Sequence, residues 1–129
     1  MKEVENHMSN KLTAQELKAD MAQCTGSMQY HKLTLLPLKA TDGMKVVAEK
    51  AGAFWLVDAI ASYQGEAKVK ALRIQFWTLE VKDNKADLFC VEDSGMPKLI
   101  EQHIGFTDFP EGTWKFYVTD GVIMIPSEY

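Results

Sequence analysis

The chain has 129 residues, 47% of them hydrophobic and 25% charged, with a formal net charge of −4. That length supports one domain with a core of its own and no metal or disulfide staple, and the composition argues against a disordered or membrane-spanning chain. The fourteen Lys and Arg are scattered, with no basic run able to release many counterions from a phosphate backbone, so nucleic acid is not an expected partner.

Residues 1–11 are polar and aperiodic, so a flexible N-terminus is expected ahead of a single domain over residues 12–129. Thr13-Ala14-Gln15-Glu16 matches a capping box, and Leu12 is placed as a staple against Leu17. The helix it opens is expected to reach about Cys24, with Ala14, Leu17, Met21 and Cys24 on one face and Thr25-Gly26 as its stop. Residues 28–36 are rich in aromatic and apolar side chains and end at Pro37, which predicts an extended segment. After Thr41-Asp42-Gly43, helical spacing runs through Met44, Val47, Ala48 and Ala51 to Gly52. Residues 53–63 repeat it through Leu56, Val57, Ile60 and Tyr63. Phe54, Trp55 and Asp58 point elsewhere, so this helix is expected at the centre of the fold, covered on more than one side.

From Leu72 the period becomes that of strands. Residues 72–81, 86–92, 98–104, 113–118 and 122–125 predict five strands, joined by turns at Asp83-Asn84, Ser94-Gly95, the Asp108-Phe109-Pro110 region and Asp120-Gly121. A meander is the simplest order. In the first strand the apolar set shifts from Leu72, Ile74 and Phe76 to Trp77, Leu79 and Val81, which calls for a bulge near Trp77 or for two covered faces. The fold class expected is α+β, with N-terminal helices packed on a mostly antiparallel C-terminal sheet.

Candidate chemistry is sparse. Cys24 or Cys90 with His31 or His103 supplies the residue types of a nucleophile and base, without the local signature of a cysteine protease or a nucleophile elbow. The histidines have no second His one helical turn away, and no Gly-rich phosphate loop occurs, so neither a metal nor a cofactor is expected. Asp42, Asp108 and Asp120 belong to Thr-Asp pairs, where turns and helix caps want a carboxylate. Asp58 differs, because it lies within the most apolar helix, where an unpaired buried charge costs on the order of several kcal/mol. It calls for an ion pair with Arg73, a hydrogen bond from a tryptophan N–H, or a substrate. At the far end, Pro126-Ser127-Glu128-Tyr129 follows an apolar strand, so Tyr129 either docks on the domain or is offered to a partner.

The series Thr41-Asp42-Gly43, Ala48-Glu49, Gly52-Ala53-Phe54-Trp55-Leu56-Val57-Asp58-Ala59-Ile60, Thr107-Asp108-Phe109-Pro110 and Pro126-Ser127-Glu128-Tyr129 resembles a family of small uncharacterised bacterial proteins. Members are also found on plasmids and phages, and the likeness runs from Leu12 to Tyr129. It implies a single-domain cytoplasmic protein, an accessory product of mobile elements. It brings no activity, cofactor or catalytic residue.

Two functions are therefore expected. The first is a non-catalytic interaction or accessory protein, an inhibitor of a host or defence protein, with a protein partner or a homodimer formed through a sheet edge and no membrane involvement. The second is a small ligand binder or hydrolase-like enzyme using Asp58 with Asp42 or Asp108 beside Trp55. Trp55, Asp58, Asp108 and Tyr129 are the residues expected at such a site.

Overall fold

A computed structural model describes residues 12–24 and 29–129. The expected flexible segment 1–11, the Thr25-Gly26 stop and Met28 lie outside the described residues. Helix α1, Ala14–Ala22, begins where its sequence sets it. Thr13 Oγ1 accepts the Glu16 N–H at 3.1 Å, and Glu16 Oε1 accepts the Thr13 N–H at 2.9 Å. That backbone donor, joined by the Thr13 side chain, holds the Glu16 carboxyl below its ordinary range. Leu17 is fully buried, and Ala14, Met21 and Cys24 pack on the core beside it.

Over residues 29–36 the expected extended segment forms no ladder. Among the described residues it holds one isolated bridge, His31 to Ala40, and then bends through 34–37. The two-residue strand β1, Lys39–Ala40, forms beyond Pro37, which has no N–H of its own to give to a ladder. Helix α2, Asp42–Lys50, follows at once, with Thr41 as N-cap accepting the Met44 N–H at 3.2 Å. Helix α3, Phe54–Ser62, buries Leu56, Val57, Ile60 and Ala61 along one face. Its other face is open to solvent: Asp58 is exposed, so the cost of a buried charge does not arise. Among the described residues Asp58 forms no ion pair with Arg73. A short helix α4, Ala67–Lys70, leads into the sheet.

The five expected strands are present as β2 (Ile74–Lys82), β3 (Lys85–Val91), β4 (Lys98–Ile104), β5 (Gly112–Thr119) and β6 (Val122–Met124). With β1 they make a six-stranded sheet in the order β1-β6-β5-β2-β3-β4, antiparallel except for β1 beside β6. The fold is α+β. The order corrects the expected meander, because β5 returns past the β2–β3 hairpin to lie against β2, which is the Greek-key arrangement. Two-residue turns with both φ values positive close the β2–β3 and β5–β6 hairpins, at Asp83-Asn84 and Asp120-Gly121.

Strand β2 carries no bulge. Its register runs unbroken from Ile74 to Val81 against β5, and the one register shift falls between Cys90 and Val91. Trp77, Leu79, Val81, Leu88, Cys90, Trp114 and Phe116 bury the helix-covered face. The opposite face has an apolar row of its own: Val91, Phe76, Tyr117 and Met124 are direct cross-strand neighbours, with Phe76 and Tyr117 edge to face at 5.2 Å. The sequence shift at Trp77 marks these two apolar faces, only one of which is covered by helices among the described residues.

Candidate functional site

Two places gather the residues singled out from sequence. The first is an open cleft of about 540 Å³ at the β4 edge of the sheet. Gly52, Trp55 and Ala59 supply one wall, Gln102, His103 and Ile104 of β4 the other, and Phe106, Thr107 and Asp108 close it. Trp55 is half-buried, Asp108 is exposed, and Phe106 is 73% exposed. Tyr63 donates its hydroxyl to Gln102 Oε1 at 2.7 Å, which fixes that amide at the cleft, and His103 Nδ1 lies 3.0 Å from Asp87 Oδ1.

The Thr107-Asp108-Phe109-Pro110 segment is placed by structure on both sides of Asp108. The Thr107 N–H donates to the Asn84 carbonyl at 2.8 Å, and Asn84 Nδ2 donates back to the Thr107 carbonyl at 3.2 Å. Phe109 is buried edge to face against Trp114 at 5.4 Å, while the Trp114 indole donates to the Pro110 carbonyl at 2.9 Å. The turn therefore anchors itself on the β2–β3 hairpin and leaves Asp108 facing solvent beside Trp55.

The second place is the chain end. After β6 the chain makes one 3₁₀ turn, Pro126–Glu128, against the start of α2. Glu128 Oε1 accepts the Thr41 hydroxyl at 2.5 Å and the Ile125 N–H at 3.3 Å, and Oε2 accepts the Gly43 N–H at 2.9 Å. Ser127 donates to the Cys24 carbonyl at 2.8 Å. Beside them His31 Nε2 lies 2.7 Å from Asp42 Oδ1. Tyr129 sits edge-on to Tyr117 at 5.6 Å yet stays 72% exposed.

The thiols in these surroundings are poor nucleophiles. Burial raises the Cys24 pKa, and the carboxylates of Glu128, Asp42 and Asp20 raise it further. Burial also pushes Cys90 up to about 11. Each of the two described histidines faces a carboxylate, His31 with Asp42 and His103 with Asp87. Among the described residues no group of three or more His, Cys, Asp or Glu side chains is arranged to hold a metal ion, and no helix is long and apolar enough to cross a membrane.

A model of a family of unknown function, DUF6876, matches residues 15–129. The chain belongs to this family. Searches of curated proteins and of solved structures return no match. The DUF6876 match takes in both the cleft and the chain-end contacts.

Of the four residues expected at a site, Trp55 and Asp108 meet in the cleft. Asp58 lies outside its lining and Tyr129 lies against Tyr117, on the sheet face opposite the buried Trp77 row. Asp42 belongs to the chain-end group, so Asp42, Asp58 and Asp108 do not converge. Sequence reasoning missed Phe106 and Gln102 in the cleft and Glu128 at the chain end. Phe106 had a signal: an aromatic between Gly105 and a turn triplet has no strand or helix face to bury it. Glu128 had one too, in Gly43, since a glycine in the first turn of a helix weakens it unless something packs closely there.

Proposed function

We propose that this protein is a non-catalytic binding protein that receives a protein partner at the cleft between α3 and the β4 edge. The observation that carries the reading is the gathering of Trp55, exposed Phe106 and Asp108 beside a strand that ends the sheet. Aromatic rings with a few polar groups are recognition chemistry, and an edge strand offers backbone donors and acceptors to a partner's extended segment. In this reading the protein acts in the cytoplasm as an accessory factor or inhibitor of a host or defence protein, carried by a mobile element. Its small size and two free thiols suit that role.

The test is affinity purification of the full chain from bacterial lysate, with mass spectrometry of what stays bound. The control is the double variant Phe106→Ser, Asp108→Asn, in which both replaced side chains are exposed. A stoichiometric partner lost in the double variant supports the reading; a partner retained equally by it overturns the placement at this cleft. The outer edge of β4, which pairs with no further strand among the described residues, also favours a homodimer, which light scattering on the purified chain detects directly.

A further inference from the structure

We propose that a second pocket, between α4, the start of β2 and the β5–β6 turn, binds a small oxyanion, a carboxylate or a phosphate, through Arg73. The pocket measures about 280 Å³ and is lined by Gln64, Lys70, Arg73, Gln75 and the turn at Asp120-Gly121. Arg73 is the only arginine in the chain. Among the described residues neither Arg73 nor Lys70 enters an ion pair, so both cations are available at the pocket wall. Thr119 Oγ1 donates to the Arg73 carbonyl at 3.0 Å, which ties the Arg73 backbone to β5.

The second observation is a buried donor. Gln75 is only 6% exposed, and its amide orientation is determined by its neighbours. The Trp77 indole, which can only donate, reaches Gln75 Oε1 at 2.9 Å, and Gln64 Nε2 reaches the same oxygen at 2.9 Å. Gln64 is fixed in turn, because its Nε2 also donates to the Ile60 carbonyl at 3.1 Å. Gln75 Nε2 therefore gives one hydrogen to Gln64 Oε1, at 2.8 Å, and the other has no protein acceptor among the described residues. A buried N–H without an acceptor is costly, and here it belongs to a side chain that lines a pocket with two cations.

An oxyanion answers these features together. Its oxygens accept the spare Gln75 N–H and pair with the planar Arg73 fork, in charge-assisted bonds that water cannot match. Asp120 at the rim leaves the lining one positive charge in excess, which suits a small ligand rather than a polyanion.

The test is a heteronuclear NMR titration of the full chain with inorganic phosphate and, separately, with acetate, at an ionic strength held constant with sodium chloride. Saturable shifts are expected at the Gln75 side-chain amide, the Arg73 Nε–H and the Gly121 N–H. Arg73→Gln, at an exposed position, should weaken the binding at least about tenfold. Saturation by phosphate alone or by acetate alone assigns the ligand class, and either supports the site. Shifts that saturate with neither ion, or that persist unchanged in Arg73→Gln, overturn it.

Discussion

Glu128 caps the helix that Gly43 helps to open: its Oε2 accepts the Gly43 N–H at 2.9 Å across 85 residues of chain. A helix begins with four backbone N–H groups lacking partners and with the positive end of its dipole, so a carboxylate there stabilises it on both counts. Glycine lets the carboxylate come this close: a Cβ at residue 43 would meet Glu128 Oε1 at 2.5 Å and Ile125 Cδ1 at 2.7 Å, so the ends of both side chains would have to shift. The triplet near the start of the domain and the tetrapeptide at its end thus form one contact.

Glu128→Ala should lower stability by about 1–3 kcal/mol, read from urea unfolding, since it strips an acceptor from several donors at once. Gly43→Ala should also destabilise, by pushing the carboxylate away. The double variant should then cost clearly less than the sum of the two, because both changes remove the same contact. Strict additivity would show that the two residues do not act together. Removing residues 127–129 should match or exceed the loss seen in Glu128→Ala.

Phe109→Ala should cost about 3–5 kcal/mol, the range for truncating a buried phenylalanine. Phe109 is 1% exposed and packs on Trp114, where it anchors the connection that carries β5 back to β2. Asp108→Asn, one residue away but exposed, should stay within about 0.5 kcal/mol of wild type. Equal losses in the two variants would mean that the turn, and not the ring, holds the crossover.

Local signals were legible in the sequence. The Thr13 capping box, the one-sided apolar spacing of α1 and α2, the five C-terminal strands and the turn at Asp120-Gly121 all follow from short-range chemistry. What the sequence did not reveal depends on pairing across long separations. The return of β5 to β2 rests on Thr107 bonding to Asn84, and the cap on Gly43 comes from the last turn of the chain. Nothing in a local window distinguishes a turn residue that also reaches a distant hairpin from one that only turns. The cleft was half legible: Trp55 and Asp108 share it, but the face of α3 that carries Asp58 could be assigned only once the sheet was in place.

Asp58→Asn should change stability by less than about 0.5 kcal/mol, the usual limit at a solvated surface position. The sequence alone led to the opposite expectation, because the helix around Asp58 is apolar on average. Burial in α3 is confined to Leu56, Val57, Ile60 and Ala61, so average hydropathy misjudges the one exposed carboxylate. A thermal shift larger than that limit would mean that Asp58 has a structural partner after all.

The two cysteines should respond differently to alkali and to alkylating reagent. Burial raises the Cys90 pKa from 9.0 to about 11, so the folded state favours its thiol form. The stability this contributes is fully present below the unfolded pKa and is lost as pH rises through the folded one. Urea midpoints should therefore fall across the window from 9.0 toward 11, and less steeply in Cys90→Ala. Cys24, partly exposed, should be alkylated in the native protein while Cys90 is not. Since Glu128 is one of the carboxylates that raise the Cys24 pKa, Glu128→Gln should move the midpoint of the alkylation pH–rate profile downward. Ser127→Ala breaks the hydrogen bond to the Cys24 carbonyl without removing a charge, so it should raise the plateau rate and leave that midpoint in place. A midpoint shifted equally by both variants would assign the effect to loosening of the chain end and not to the Glu128 charge.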